Sequence, residues 1–223
     1  MLFRSVSQSR YGFIWLGTAE GARKFDGANF KEIYSLGNKE ISGNINSIVE
    51  SSRFIYIVSN RSVYKSFGNY FQEIRFYKSD QPDFINKAIM VDTELVILSD
   101  NGLWHLEDTV ITKYNTHSII DFVKIKTAHY CKRKNELWLG TEANGLIIYN
   151  FGSQHIVTTN EIGLTDLYKD KVVDIAEDEK GTLYFAVTQK GIYRVDDRKV
   201  ELLQPPRIVT GKQIGRASCR ERV

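Results

Sequence analysis

Ile14-Trp15-Leu16-Gly17-Thr18, with Gly21 three residues on, and Leu137-Trp138-Leu139-Gly140-Thr141, with Gly145 four residues on, are two copies of one short phrase. Weaker copies lie between and after them: Arg53-Phe54-Ile55-Tyr56-Ile57-Val58-Ser59, Leu95-Val96-Ile97-Leu98-Ser99 before Gly102, and Leu183-Tyr184-Phe185-Ala186 before Gly191. With Trp15, Tyr56, Val96, Trp138 and Tyr184 taken as equivalent, the spacings are 41, 40, 42 and 46 residues. Five copies at a near-constant pitch mean a repeat fold, in which each unit buries its apolar faces against its neighbours.

Within each copy short apolar runs alternate with turn residues, which is the strand pattern, and no copy holds a convincing helix. In the last copy Val172 to Ala176, Leu183 to Val187, Ile192 to Val195 and Val200 to Leu203 read as four strands. Turns at Glu177 to Gly181, Gln189 to Gly191 and Asp196 to Arg198 separate them. The first copy repeats the scheme, with Asp26-Gly27 as a hairpin turn and Phe30 to Tyr34 as the outer strand. Four strands per unit describe a propeller blade, so the expected fold class is all-β, a β-propeller of about five four-stranded blades. The blades are placed at about residues 1–36, 37–78, 79–115, 116–160 and 161–203. A solenoid at this pitch would be helical. Ile14-Trp15-Leu16 is apolar on both faces, as a strand packed between two neighbouring blades must be, and Gly17 and Gly140 are expected to let backbones approach closely.

The chain has 223 residues, 42% apolar and 26% charged, the balance of a globular domain. Its 30 basic and 27 acidic residues are evenly spread, which excludes the basic stripe of a nucleic-acid binder. No stretch approaches the roughly 20 consecutive apolar residues of a membrane span, and the start, Met1-Leu2-Phe3-Arg4-Ser5, carries no visible export signal. Residues 214–223 resemble, one for one, the in-frame translation of a common short-read sequencing adapter and are read as an artefact; residues 204–213 stay unassigned. Setting that tail aside lowers the formal charge from +3 to +1 and leaves Cys131 alone, so no internal disulfide is expected. A read-through tail also implies that the natural protein continues beyond this point.

Gly12-Phe13-Ile14-Trp15-Leu16-Gly17-Thr18, then Gly21, Phe25-Asp26-Gly27 and Phe30, resembles the two-component regulator propeller repeat, as does Glu177-Asp178-Glu179-Lys180-Gly181-Thr182-Leu183-Tyr184. The resemblance covers about residues 3 to 203. The second and third copies depart from it, with Val58-Ser59 and Leu98-Ser99 where Gly-Thr is expected and Trp104 displaced beyond Gly102. It implies the sensor region of a hybrid two-component histidine kinase of Bacteroidetes-type bacteria. There, two seven-bladed propellers precede a β-sandwich, a membrane helix, a kinase, a receiver and a DNA-binding module. On that reading the chain is a truncated propeller, five blades of seven, from near the start of a periplasmic region whose signal peptide lies upstream. The whole protein is then membrane-anchored and homodimeric, and responds to glycan-derived oligosaccharides. Five blades also leave an open ring with an unpaired, aggregation-prone edge.

Catalysis finds no footing. His105, His117, His129 and His155 are scattered over different blades, and neither a nucleophile beside a base nor ligand-spaced His, Cys and carboxylates occurs. Neither an enzyme nor a cofactor nor a metal is expected in this chain. Trp15 and Trp138 lie mid-strand where a blade interior needs bulk, whereas Trp104, after the Asn101-Gly102 turn, stays open to stacking on a sugar ring. In a four-stranded meander the loops joining strands two and three share one face with the blade-to-blade connections. Their polar residues supply the candidate ligand contacts: Asn60, Arg61, Asp100, Asn101, Glu142, Asn144, Gln189 and Lys190, with Trp104. Two rival functions stand beside sensing: a scaffold propeller that takes protein partners, and a propeller lyase or oxidoreductase.

Overall fold

Residues 3–37, 39–77, 81–114, 118–196 and 199–204 are described by the computed structural model. The stretch 205–213, the adapter-like 214–223, His117 and the Asp197-Arg198 part of the last turn lie outside them. The chain opens with an antiparallel meander of β1 (Phe3–Gln8), β2 (Ile14–Thr18), β3 (Ala22–Phe25) and β4 (Phe30–Glu32). A small hairpin, β5 (Tyr34–Ser35) and β6 (Lys39–Glu40), leads into a second meander of β7 (Ile45–Glu50), β8 (Ile55–Ser59), β9 (Val63–Phe67) and β10 (Tyr70–Phe76). The third is β11 (Ile85–Val91), β12 (Glu94–Ser99), β13 (Gly102–Glu107) and β14 (Val110–Lys113). One helical turn, α1 (Ser118–Asp121), precedes the fourth: β15 (Ile125–Cys131), β16 (Glu136–Thr141), β17 (Leu146–Asn150) and β18 (Ile156–Thr158). The fifth is β19 (Val172–Glu177), β20 (Leu183–Val187), β21 (Gly191–Asp196) and β22 (Lys199–Gln204). First strands of successive blades touch in series, β1 to β7 to β11 to β15 to β19, which makes them the innermost strands of a β-propeller.

The core is divided among the seams between blades. Trp15 and Ala22 pack with Ile45, Ile48 and Ile57; Tyr56 and Val58 with Ile85, Ala88 and Trp104; Leu98 with Ile125, Ala128 and Leu139; Trp138 and Ile148 with Val172, Ile175 and Phe185. Each fully buried side chain of this size contributes roughly 1.5–3 kcal/mol, so every blade depends on its neighbour. The middle of the second strand shows the dependence: Trp15, Tyr56, Val96 and Trp138 are buried, while Tyr184 of the fifth blade is only half-buried. Val6 and Phe30 on the outward side of the first blade and Ile192 on that of the fifth are exposed, as the open ring requires.

Gly17 and Gly140 do permit close approach. A Cβ on Gly17 would stand 2.8 Å from the Ile45 carbonyl oxygen, and one on Gly140 2.8 Å from Val172 Cγ1. Two expectations are corrected. The outer strand of the first blade breaks at Ile33, because that residue turns into the seam core, and Tyr34-Ser35 then leaves to pair in parallel with β10. β10 also pairs in parallel with β14, so the rims of the first three blades are hydrogen-bonded together. A helix exists after all, since α1 sinks Ile120 into the core between the third and fourth blades.

Candidate ligand-binding face

Every innermost strand carries the same irregularity. Its register against the second strand slips between its first and third residues: Phe3/Ser5, Ile45/Ser47, Ile85/Lys87, Ile125/Thr127 and Val172/Asp174. A bulge of this kind inserts one unpaired residue and re-aims its side chain. The inserted residues are Arg4, Asn46, Asn86, Lys126 and Val173, and those before the slip at Ile45, Ile85, Ile125 and Val172 are fully buried anchors. The same ends of the sheets are closed by a repeated backbone bond from the loop after the second strand to the residue before the first. Asn60 N–H donates to Asn44 O at 3.1 Å, Asp100 to Phe84 O at 3.1 Å, Glu142 to Lys124 O at 2.9 Å and Thr188 to Lys171 O at 3.0 Å.

Bulge residues and loop residues thereby meet on one face. Asn86 Nδ2 donates to Asp100 Oδ1 at 2.7 Å, and Lys126 Nζ donates to Asn86 Oδ1 at 2.9 Å and Asp100 Oδ1 at 3.0 Å. Lys126 also lies 3.9 Å from Glu142, whose other flank holds Lys171 at 3.0 Å. Asn46 Nδ2 donates across the preceding seam to Ile85 O at 2.7 Å. A second row runs beside it: Lys87 Nζ donates to Thr127 Oγ1 at 3.2 Å, Thr127 Oγ1 donates to Asp174 Oδ1 at 3.4 Å, and Ser47 Oγ accepts from Ala88 N–H at 2.8 Å. The result is a polar chain that crosses seams from the second blade to the fifth. Burial opposes charge on Asp100, but the Asn86 amide and the Lys126 ammonium outweigh it and hold the carboxyl below its usual range.

The loops are hydrogen-bonded to the second strand where a hydroxyl ends it. Thr18, Ser59, Ser99 and Thr141 each donate to the carbonyl that closes the following turn, Gly21, Ser62, Gly102 and Gly145, at 2.9, 3.2, 2.8 and 2.8 Å. Val187 stands at that place in the fifth blade.

Of the residues expected from sequence, Asp100 and Glu142 stand inside the polar chain, and Lys190 reaches Asp166 O at 3.0 Å and Asp170 at 3.3 Å beside it. The Asn101 N–H donates to Ser99 Oγ at 3.2 Å, and the Asn144 N–H donates to Thr141 Oγ1 at 2.8 Å, so both brace their own turns. Asn60 is half-buried, and Arg61 and Gln189 are exposed. Trp104 is corrected: it is 0% exposed, edge-on to Phe76, with its indole N–H donated to Ser99 Oγ at 3.1 Å. It fills the seam between the second and third blades and presents no face to a ligand. Sequence reading missed Asn46, Asn86, Lys87, Lys126, Thr127 and Asp174. Their signal was a buried isoleucine followed by two polar residues, Ile45-Asn46-Ser47, Ile85-Asn86-Lys87 and Ile125-Lys126-Thr127, at a pitch of 40.

Chemically the face offers ammonium and amide donors beside carboxylate acceptors, a set that suits neutral, hydroxyl-rich molecules. Elsewhere His105 pairs with Glu94 within the third blade, and His129 with Glu177 at 2.8 Å across the seam between the fourth and fifth. Among the described residues no group of three or more His, Cys, Asp and Glu is placed to hold a metal ion.

No family model matches the chain, and no curated protein matches its sequence. Solved structures do. The chain is similar to the extracellular domain assigned to the hybrid two component system BT3049 from B. thetaiotaomicron, with a TM-score of 0.73, 20% identity and coverage of 90% of this chain and 29% of that one. The corresponding domain of BT4673 from the same organism gives 0.62, 14%, 90% and 33%. YCF48 bound to D1 peptide gives 0.67, 11%, 92% and 67%. The chain spans about a third of the length of the two extracellular domains. At these identities the likeness establishes the propeller fold.

Proposed function

We propose that the chain is the ligand-sensing part of an extracytoplasmic sensor propeller and that its ligands are glycan-derived oligosaccharides. The observation that carries this reading is the polar chain through Asn86, Asp100, Lys126, Glu142 and Lys171, whose members belong to three blades. A sugar with several hydroxyls exchanges its own hydrogen bonds for theirs and bridges the seams. The repeat resemblance and the likeness to two extracellular domains of two component systems support the location, outside the cytoplasm in a membrane-anchored protein. Fold does not fix function, so the binding step is what needs testing. Mechanistically, ligand favours one arrangement of a homodimeric sensor over another by binding it more tightly. No catalytic step is assigned to these residues.

Calorimetric titration of the chain with a panel of neutral plant, host and microbial oligosaccharides tests the reading. One class is expected to bind, and Asp100→Ala or Lys126→Ala to weaken it about tenfold, the usual cost of losing a charge-assisted hydrogen bond. A folded chain that binds no member of the panel, or binds one equally well in both variants, removes the reading. A scaffold function has one specific observation in its favour, the 86% exposure of Phe122 on the connection between the third and fourth blades.

A further inference from the structure

On the face opposite the polar chain, a cleft of about 330 Å³ opens between the first and second blades. The hairpins that flank it carry Arg10-Tyr11, Ser52 to Phe54 and Gly68-Asn69, and its floor is Trp15 packed edge-on against Phe71 at 6.0 Å. Three properties set it apart from the other seams. First, its carboxylates are already neutralised: Glu50 by Arg10 at 2.8 Å, and Glu32 by Arg23 at 2.5 Å with the Tyr34 hydroxyl at 3.0 Å. Lys24 and Arg53 remain, and among the described residues neither has a carboxylate partner; the Lys24 ammonium lies 3.5 Å from the Phe13 ring centre and 5.4 Å from that of Trp15.

Second, the Trp15 indole N–H is buried without an acceptor. The Trp104 and Trp138 N–H groups donate to Ser99 Oγ and Glu136 Oε2 at 3.1 Å. Phe13 occupies the place in the first blade that Glu136 holds in the fourth, so the acceptor has been replaced by a ring. Buried donors without partners are rare in folded proteins, and this one sits in the floor of the cleft. Third, aromatic rings line the walls in the open, with Tyr11 77%, Tyr70 46% and Tyr34 41% exposed.

We propose that this cleft is a second binding site, for a small organic carboxylate carried on a ring. The carboxylate meets Lys24 and Arg53, the ring lies on the tyrosines, and the volume suits a single ring. The inference stands apart from oligosaccharide binding at the opposite face. Two sources share this chemistry, sugar acids and aromatic acids, and the probes separate them.

The chain is titrated, with ligand-observed NMR as readout, with glucuronate and phenylacetate and with their neutral counterparts methyl glucoside and 2-phenylethanol. At least one acid is expected to bind about tenfold more tightly than its neutral counterpart, with Lys24→Gln and Arg53→Gln each weakening it severalfold and 0.5 M salt doing the same. Arg53 sits on an exposed hairpin, so its variant keeps the test valid should Lys24→Gln fail to fold. Acids and neutral counterparts that bind alike, acids that do not bind, or an Arg53→Gln variant with unchanged affinity overturn the proposal.

Discussion

The seams that follow the first and fourth blades are packed in the opposite sense to those that follow the second and third. Gly17 and Gly140 hold the position opposite Ser5 and Thr127 in their sheets, and the incoming inner strands bring Ile45 and Ile48, or Val172 and Ile175. Val58 and Leu98 hold that position in the second and third blades, and the incoming strands bring Ala88 and Ala128. Ile85 and Ile125 stand where Ile45 and Val172 do, so the exchange falls three residues further on: Val58 and Leu98 go with Ala88 and Ala128, and Gly17 and Gly140 with Ile48 and Ile175, as close-packed interiors demand. Charged contacts follow the same division. Arg10 bonds Glu50 and Ser52 O, and Arg133 bonds Glu177 and Gly181 O, whereas the third seam uses Asp92 against Tyr130 and Lys132. A blade's identity is therefore written partly in the blade that follows it.

Exchanging the two packing schemes gives the largest expected effect. Leu98→Ala should cost about 3–4 kcal/mol by leaving a cavity, and Ala128→Ile alone about 1–3 kcal/mol by overpacking. If that exchange of volume is what matters, the double variant recovers at least about 1 kcal/mol of the summed loss in denaturant titrations; simple additivity breaks the comparison. Next come the glycines. Gly17→Ala drives a methyl against a backbone carbonyl, while Gly140→Ala meets side-chain methyls of Thr127 and Val172 that can yield. The first should cost about 2–3 kcal/mol and the second about 1 kcal/mol, and equal losses would make the two seams less distinct in mechanics than in composition.

Smaller still is the arginine pair. Arg10, with its side chain 44% exposed and bonded to Glu50 Oε1 and the Ser52 carbonyl, should lose about 0.5–1 kcal/mol on change to Ala, and Arg133, 61% exposed, close to nothing. The smallest effect is in pH. Burial opposes charge on Glu177, but hydrogen bonds from His129 and Cys131 and the nearby Arg133 outweigh it and lower its carboxyl pKa below the ordinary 4.5. A depressed folded-state value adds stability that is present above the unfolded value and is lost as pH falls through the folded one. Stability measured downward from pH 5 should therefore decline less in Glu177→Gln than in the parent chain.

Much of this was legible beforehand. The pitch of the Trp15, Tyr56, Val96, Trp138 and Tyr184 series fixes the blades, and the fifth-blade strand Leu183–Val187 lies where the alternation put it. Gly17 and Gly140 were readable as points of approach because a strand interior otherwise disfavours glycine. The bulges were not legible, since one inserted residue shifts the alternation without breaking it, and only the partner's register reveals that Asn86 and Lys126 leave the strand. Trp104 could have been placed by counting. With Asp100-Asn101 as the turn, Trp104 falls opposite Ile97 and shares its buried face. Placed after the Asn101-Gly102 turn without that count, it stayed open to a sugar ring. The cleft beside Trp15 was illegible because the sequence sets Phe13 against Glu136 two residues before the aligned tryptophans but does not show that Glu136 accepts the indole N–H.

The outer strand of the second blade is hydrogen-bonded on both sides, to β9 along its length and to β5 and β14 at its two ends. Its amides should be among the slowest in the molecule to exchange with deuterated water, and the first three blades should open together as one cooperative unit. Among the described residues the fourth and fifth blades have no such rim pairing. Heat or force would then peel them away first, leaving a three-bladed remnant as the last folded species.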